Sequence, residues 1–309
     1  MKNALKKIGL ILLGTALLAG ALTACSTSPK ITGPFTITDQ LGRTVTINNT
    51  HPQKIISLAP SNTEILFALG LGDRIVGVTT YCNYPPEATT KPNIGDYNTP
   101  NLEEIIAKEP DLVLATEVHQ TTLIPQLEAQ GITVIGLSPK TIDQVMDSIT
   151  LVGQITGQVD EAASLVNDMQ ERINAIKDKT RELSEAQKPR VFYIIWHDPI
   201  WTTGANTFAD ALIQIAGGVN IAGQLEGYVD ISLEAVIAAN PQVIIAGVGM
   251  GTGEDAPLEY MKTEPRLEGL DARQNNSIYG VNMDIVGRPG PRIVDALEEF
   301  FRLIHPELQ

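Results

Sequence analysis

The sequence predicts an α/β protein of two lobes with mainly parallel sheets, joined by a single long rigid helix and leaving a ligand cleft between the lobes. Three observations predict it. The stretch NLEEIIAKEPDLVLA (101–115) returns, altered but recognisable, as SLEAVIAANPQVIIA (232–246). Between the copies, residues 158–188 run without Gly or Pro. The chain has 309 residues and 43% apolar content, enough for two packed cores.

The first residues are set apart from the fold. MKNALKKIGLILLGTALLAGALTAC places Lys2, Lys6 and Lys7 ahead of an apolar run over 8–22, the pattern of a signal peptide, assigned to 1–24. The run ends in Leu22-Thr23-Ala24-Cys25, which resembles a bacterial lipoprotein box with Cys25 as the lipid acceptor. It is shorter than the roughly 20 apolar residues of a membrane span and is interrupted by Gly, so anchoring is expected in place of spanning. Residues 25–34 then form a polar tether, and the expected location is extracytoplasmic, lipid-anchored to the bacterial cell membrane.

The N-terminal lobe is expected over 35–157. FTITD and TVTIN alternate around QLGR as a hairpin; KIISL and RIVGV are short β-rich runs. Between these two runs, Ser61 and Glu64 have capping-box spacing at the head of a helix that Gly70 ends. In each repeat, Asn101 or Ser232 suits an N-cap, apolar residues follow at helical spacing, Pro110 or Pro241 stops the helix, and DLVLA or QVIIA is a strand. Continuous apolar strands after helices imply parallel sheets covered on both faces. In 158–188, Val159, Ala162, Ala163, Val166, Met169, Ile173 and Ile176 fall on one face, giving one connecting helix of about 25 residues, roughly 37 Å. The C-terminal lobe takes 189–309.

Composition narrows the chemistry. Beyond Cys25 only Cys82 remains, so no internal disulfide is available. His51, His119, His197 and His305 have no metal-site spacing, and no metal is expected. The formal charge of −14 disfavours nucleic acid, and the leader's three lysines leave the remainder more acidic still. Such acidity favours a soluble monomer and attracts a basic docking surface.

Candidate site residues cluster in junctions. YIIWHDPIWTTG holds both tryptophans, Trp196 and Trp201, in what reads as a loop at the carboxyl end of a strand, where open α/β sheets place ligands; core filling is the plainer reading of each. TTYCNYPPEA (79–88) follows a strand run and puts Tyr81 and Tyr84 beside a Pro-Pro, while Tyr97 and Tyr228 stand just before the two repeated helices, in a chain only 5% aromatic. Asp284 and Arg288, four apart around VGRPGP, offer an acceptor and a fork of donors to a ligand rim, or else a surface ion pair. Glu103 and Glu234, matched acids of the repeat, either stabilise their helix N-termini by a few tenths to about 1 kcal/mol or dock a symmetric basic partner. GVGMGTG (247–253) lacks the third Gly of a dinucleotide loop and any Walker lysine. No GxSxG or Cys/His motif supports hydrolysis. Cys82 is a small buried filler, a reactive thiol or a cobalt ligand.

RIVGVTTYCNYPPEA, NLEEIIAKEPDLVLA, WTTG, ISLEAVIAANPQVII and RPGPRIVDAL together resemble the extracytoplasmic substrate-binding proteins of cobalamin ABC importers, of the helical-backbone class. The resemblance implies that Tyr81 and Tyr97 from the first lobe and Trp201 and Tyr228 from the second pack near a corrinoid. Asp284 and Arg288 would bond its amide or phosphate periphery, and Glu103 and Glu234 would meet arginines of a permease dimer coupled to its ATPase. One departure stands out: where the family can place a further aromatic after DLVLA, this chain has Thr116-Glu117, and Trp196 is a candidate to compensate. No catalysis and no cofactor beyond the transported corrinoid are expected. The rival cargoes are a ferric siderophore or haem, the latter with Tyr81 or His197 as axial ligand. A rival from another class is an exported enzyme using Cys82 or His197 with Asp198.

Overall fold

The structure, a computed structural model, describes residues 33–249 and 255–309. The signal peptide, Cys25, most of the tether and the 250–253 part of GVGMGTG lie outside the described residues. None of the described helices is long and apolar enough to cross a membrane.

Strands β1 (Phe35–Thr38) and β2 (Thr44–Ile47) form an antiparallel hairpin. Asp39 holds its turn: Oδ1 accepts from Leu41 N–H and Arg43 N–H, and Oδ2 accepts from Gly136 N–H, which docks the turn on the first lobe. That lobe carries a four-stranded parallel sheet of β3 (Ile55–Ser57), β4 (Ile75–Val78), β5 (Leu112–Ala115) and β6 (Val134–Gly136), in the order β4-β3-β5-β6. β3, β5 and β6 are buried along their whole length, as continuous apolar strands between helical layers require.

The second lobe has a mixed sheet of β7 (Arg190–His197), β8 (Ile200–Thr203), β9 (Val219–Asn220), β10 (Tyr228–Asp230), β11 (Val243–Val248) and β12 (Ile278–Asn282). Its order is β10-β8-β7-β11-β12, with β9 beside the start of β7. β7, β11 and β12 are parallel; β8 and β10 fold back antiparallel at one edge. The sequence reading of Trp196 and Trp201 as loop residues is thereby corrected. Both sit in strands of the β7–β8 hairpin, directly opposite each other, as aromatic residues with strong β preference pair across strands.

The connecting helix is Val159–Thr180, 22 residues or about 33 Å, and stops short of the expected 188. Ser184 begins a separate turn instead, its backbone N–H and hydroxyl both donating to Gln187 Oε1. Ala162, Met169, Ile173, Ile176 and Thr180 are its buried stripe; Val159 and Ala163 face solvent. On the first lobe's side it packs on the Ile142–Thr156 helix so closely that a Cβ on Gly153 would lie 2.4 Å from the Ala162 Cβ. Towards the second lobe it meets the Phe208–Ile215 and Ile293–Ile304 helices. Ile149, Met169, Ile173, Ile213 and Phe300 belong to one continuous apolar cluster, so the helix is a shared wall of both lobes' cores and acts as a stiff member.

Candidate functional site

Parallel strands carry their ligands at their carboxyl ends. Here the ends of both lobes' strands converge on a single cavity of about 840 Å³, within the roughly 300–1,000 Å³ of small-molecule sites. From the first lobe come Pro60 and Ser61 after β3, Tyr81 and Asn83 after β4, Thr116 and Glu117 after β5, and Ser138 and Lys140 after β6. The second lobe contributes Thr207 and Phe208, Tyr228, Gly249 after β11, and Asp284 and Arg288 after β12.

Tyr97 is the best-held wall. Its hydroxyl lies 3.2 Å from Thr116 Oγ1 and its ring stands edge-on to His119 at 5.6 Å. His119, itself buried, accepts the Thr116 N–H at Nδ1 (3.1 Å) and donates from Nε2 to the Tyr97 carbonyl (2.7 Å). Those two bonds fix a neutral imidazole protonated on Nε2. Burial pushes its pKa below the usual histidine value. Tyr81 and Tyr228, by contrast, are 55% and 60% exposed. They stand in the cavity with open faces.

Trp196 and Trp201 do not line the cavity. Trp201 opposes Asp230, and Thr203 opposes Tyr228. Opposed residues and residues two apart share a face, so both indoles lie on the face of Tyr228, farther out along the hairpin. They are 47% and 44% exposed, with Trp196 Nε1 donating to the Asp198 carbonyl. The sequence reading placed them in the ligand wall; their position is the rim beyond it.

Asp284 and Arg288 are both an ion pair, at 2.7 Å, and part of the cavity lining. The Met283–Gly287 helix sets the four-residue step that joins them, with Asn282 as its N-cap. Arg288 also donates to Asn83 Oδ1 at 2.6 Å, and Asn83 Nδ2 donates to Asp284 Oδ2 at 3.3 Å. Asn83 belongs to the other lobe, so this network spans the cleft.

Beneath it lies a second inter-lobe joint that sequence reasoning missed. Glu64 was expected to cap its helix, but the Pro60–Ala68 helix has no side-chain cap and Glu64 is spent elsewhere. Its carboxylate takes a two-pronged grip from Arg292, Nε to Oε2 at 2.9 Å and Nη2 to Oε1 at 2.5 Å, and lies 3.6 Å from Arg288. Arg292 also stacks over the Tyr84 ring at 3.9 Å. The Glu64 side chain is only 2% exposed. The one signal in the sequence was an acid set directly against the apolar run Ile65-Leu66-Phe67, and only the fold brings residue 292 to it.

The Thr116-Glu117 departure becomes a polar patch. Glu117 Oε2 accepts from Lys140 Nζ at 2.7 Å and from Ser138 Oγ at 2.9 Å. Gln40, in the β1–β2 turn, fixes Ser138 in turn by accepting its N–H. Lys140 and then Ser138 hold the Glu117 carboxyl below the usual carboxylate range. Neither Lys140 nor Ser138 stands out in the sequence.

The remaining candidates separate from the cavity. Cys82 is buried in the first lobe, with its sulfur 3.1 Å from Thr63 Oγ1 and 3.3 Å from Thr79 Oγ1, and does not line the cleft. His197 packs on Trp196 and Tyr260 in the hairpin, away from both Cys82 and the cavity lining. Glu103 and Glu234 are exposed in the first turns of the Leu102–Ala107 and Leu233–Ala239 helices, and neither forms an ion pair among the described residues. No cluster of metal-ligating side chains occurs among the described residues.

Two α/β lobes on a stiff helix, with one cavity at their facing strand ends, define a binding protein that holds its ligand between lobes. The chain belongs to the periplasmic binding protein family, which matches it over residues 55–284. It is 35% identical over 279 residues to the uncharacterized ABC transporter substrate-binding lipoprotein YvrC of Bacillus subtilis, covering 89% of this chain and 86% of that one. With the vitamin B12-binding protein of Vibrio cholerae it shares 31% identity over 249 residues, 80% of this chain and 87% of the relative. Among solved structures, the vitamin B12-binding protein BtuF of Vibrio cholerae matches with a TM-score of 0.69 at 29% identity, over 82% of this chain and 97% of that one. A possible iron-binding (periplasmic solute-binding) protein of Staphylococcus epidermidis matches with 0.71 at 31%, over 82% and 99%. The haem-binding protein RhuT of Roseiflexus matches with 0.73 at 28%, over 83% and 99%.

Proposed function

We propose that this chain captures a corrinoid, cobalamin or a close relative, between its lobes and hands it unchanged to an ABC permease dimer driven by its ATPase. The observation that carries the reading is the cavity itself. Tyrosines enter it from both lobes, Tyr81 and Tyr97 on one side and Tyr228 on the other, and a paired acid and base stand on each side as well. Flat aromatic walls suit a large macrocycle, and donor–acceptor pairs suit a rim of amides. The likeness to vitamin B12-binding proteins supports the same cargo. Trp196 and Trp201 stand on the Tyr228 face, where a ligand projecting from the cleft would meet them.

Delivery follows from the placement of Glu103 and Glu234. Each is exposed at the start of a helix, one per lobe, just past that lobe's cleft-lining tyrosine. A two-fold permease presenting one arginine to each would register the lobes over its entrance, and a docked state with the lobes apart would release the ligand. Lipid on Cys25 would keep the protein at the membrane. Haem is the second reading, favoured by one observation: the Tyr81 phenol stands exposed in the cavity, where it could ligate iron. Visible absorption spectra after equilibrium dialysis against equimolar cyanocobalamin and haemin separate the two. Retention of the corrinoid bands is the expected result; a retained Soret band with no corrinoid would replace cobalamin by haem.

A further inference from the structure

The charged groups lining the cavity come as two closed pairs. Glu117 with Lys140 is one, at 2.7 Å; Asp284 with Arg288 is the other, also at 2.7 Å. A cleft built for a carboxylate-bearing ligand would leave its cations open to it. Here each cation already has an acid beside it, so the lining offers donors next to acceptors without net positive charge.

The free valences of the first pair are specific. Ser138 Oγ and Lys140 Nζ both donate to Oε2 of Glu117, while Oε1 takes no hydrogen bond among the described residues. Lys140 Nζ has three protons and gives one to Glu117. Both side chains remain more than half exposed, at 53% and 61%, on the cavity side. An unused acceptor beside unused donors matches a primary amide, whose NH2 donates to Oε1 and whose C=O accepts from Nζ. A carboxylate in the same place would set one oxygen against Oε1, and Glu117 has no proton to give because Lys140 and Ser138 keep it ionised.

Resting on the corrinoid reading above, we infer that Glu117 and Lys140 are specificity-determining residues, which accept a macrocycle edged with primary amides and reject one edged with carboxylates. Lys140 supplies the attraction. Glu117 supplies the discrimination, since leaving an acid beside the wrong group costs more than a good contact gains. Ser138, set by Gln40, keeps Oε2 occupied so that Oε1 is the oxygen left for the ligand.

The test uses the full chain in detergent micelles, titrated calorimetrically with cobinamide, whose edge is mostly amide, and with cobyrinic acid, which carries carboxylates on the same ring. The wild-type protein is expected to bind cobinamide at least about tenfold more tightly. Glu117→Gln is nearly isosteric; with its carbonyl on the Ser138 and Lys140 donors it turns an NH2 towards the ligand where the acid had Oε1, so it is expected to weaken cobinamide, strengthen cobyrinic acid and narrow that ratio by at least about tenfold. Long-range repulsion of the acid by this acidic chain is common to both proteins and cancels in the comparison. Lys140→Met should weaken both ligands and leave Glu117 more repulsive, widening the ratio. An unchanged ratio in Glu117→Gln, or equal binding of the two ligands by the wild type, overturns the inference and leaves the corrinoid reading standing. Wild-type protein that binds neither overturns the reading and the inference with it.

Discussion

The Leu102–Ala107 helix with β5 and the Leu233–Ala239 helix with β11 begin alike. Asn101 accepts the Glu104 N–H in one, Ser232 the Ala235 N–H in the other, and each strand runs parallel between two neighbours near the middle of its sheet. They part company at the cleft. Before the first unit, Tyr97 is clamped by Thr116 and His119; before the second, Tyr228 lies on an edge strand, 60% exposed. After β5 comes the Glu117–Lys140 patch. The repeated parts therefore build the frame, present one acid per lobe and set one tyrosine ahead of each helix, at 97 and 228, while what surrounds each tyrosine on the cavity is not repeated. Duplication makes the scaffold, and the junctions make the site.

The joint between the halves should give the largest effect. Glu64→Ala leaves the Arg292 guanidinium in its inter-lobe position without its carboxylate, so a loss of roughly 3–5 kcal/mol is expected in urea unfolding. A loss under about 1 kcal/mol would mean the lobes are held by the shared helix core alone. At the symmetric face, Glu103→Arg with Glu234→Arg should cut corrinoid uptake by cells at least about tenfold while leaving binding by the isolated protein unchanged. Weakened binding in the isolated protein would place those acids at the ligand instead.

Within the asymmetric walls the tyrosines should rank by how firmly they are held. Tyr97→Ala is expected to weaken corrinoid binding about tenfold and Tyr228→Ala about threefold, since a preordered ring loses less entropy on contact. The reverse order, read by titration, would make the open second-lobe face the stronger wall. The smallest effect is pH-dependent. His119 is neutral in the fold, with a pKa below the ordinary value of about 6.5. As pH falls through that value the unfolded chain takes up a proton that the folded chain does not, so stability drops towards acid. His119→Gln should flatten the change in urea midpoint between pH 7.5 and 5.5; an unaltered slope would assign it to other groups.

Most of the frame was legible because it obeys local rules. Capping residues, helical spacing and continuous apolar runs place the repeated units, and the alternation of FTIT and TVTI gives the hairpin. Tyr81, Tyr97, Tyr228, Asp284 and Arg288 could be picked out as junction residues, and the structure gathers all five on one cavity. What could not be read depends on contacts between distant residues. Glu64 has the spacing of a cap, and only the second lobe's approach turns it towards Arg292. Lys140 and Ser138 look like ordinary loop residues until β6 is laid beside β5. The tryptophans misled because Asp198-Pro199 reads as the middle of a loop, whereas it is the tip of a tight hairpin with strand on either side.

The central claim is that one corrinoid sits between the lobes against walls from both. Calorimetric titration of the protein with cyanocobalamin tests it most directly. The account predicts a single site of one-to-one stoichiometry, weakened by Tyr97→Ala and by Arg288→Ala, one substitution in each lobe. No heat from a folded, ligand-free protein, or binding indifferent to both substitutions, would contradict it.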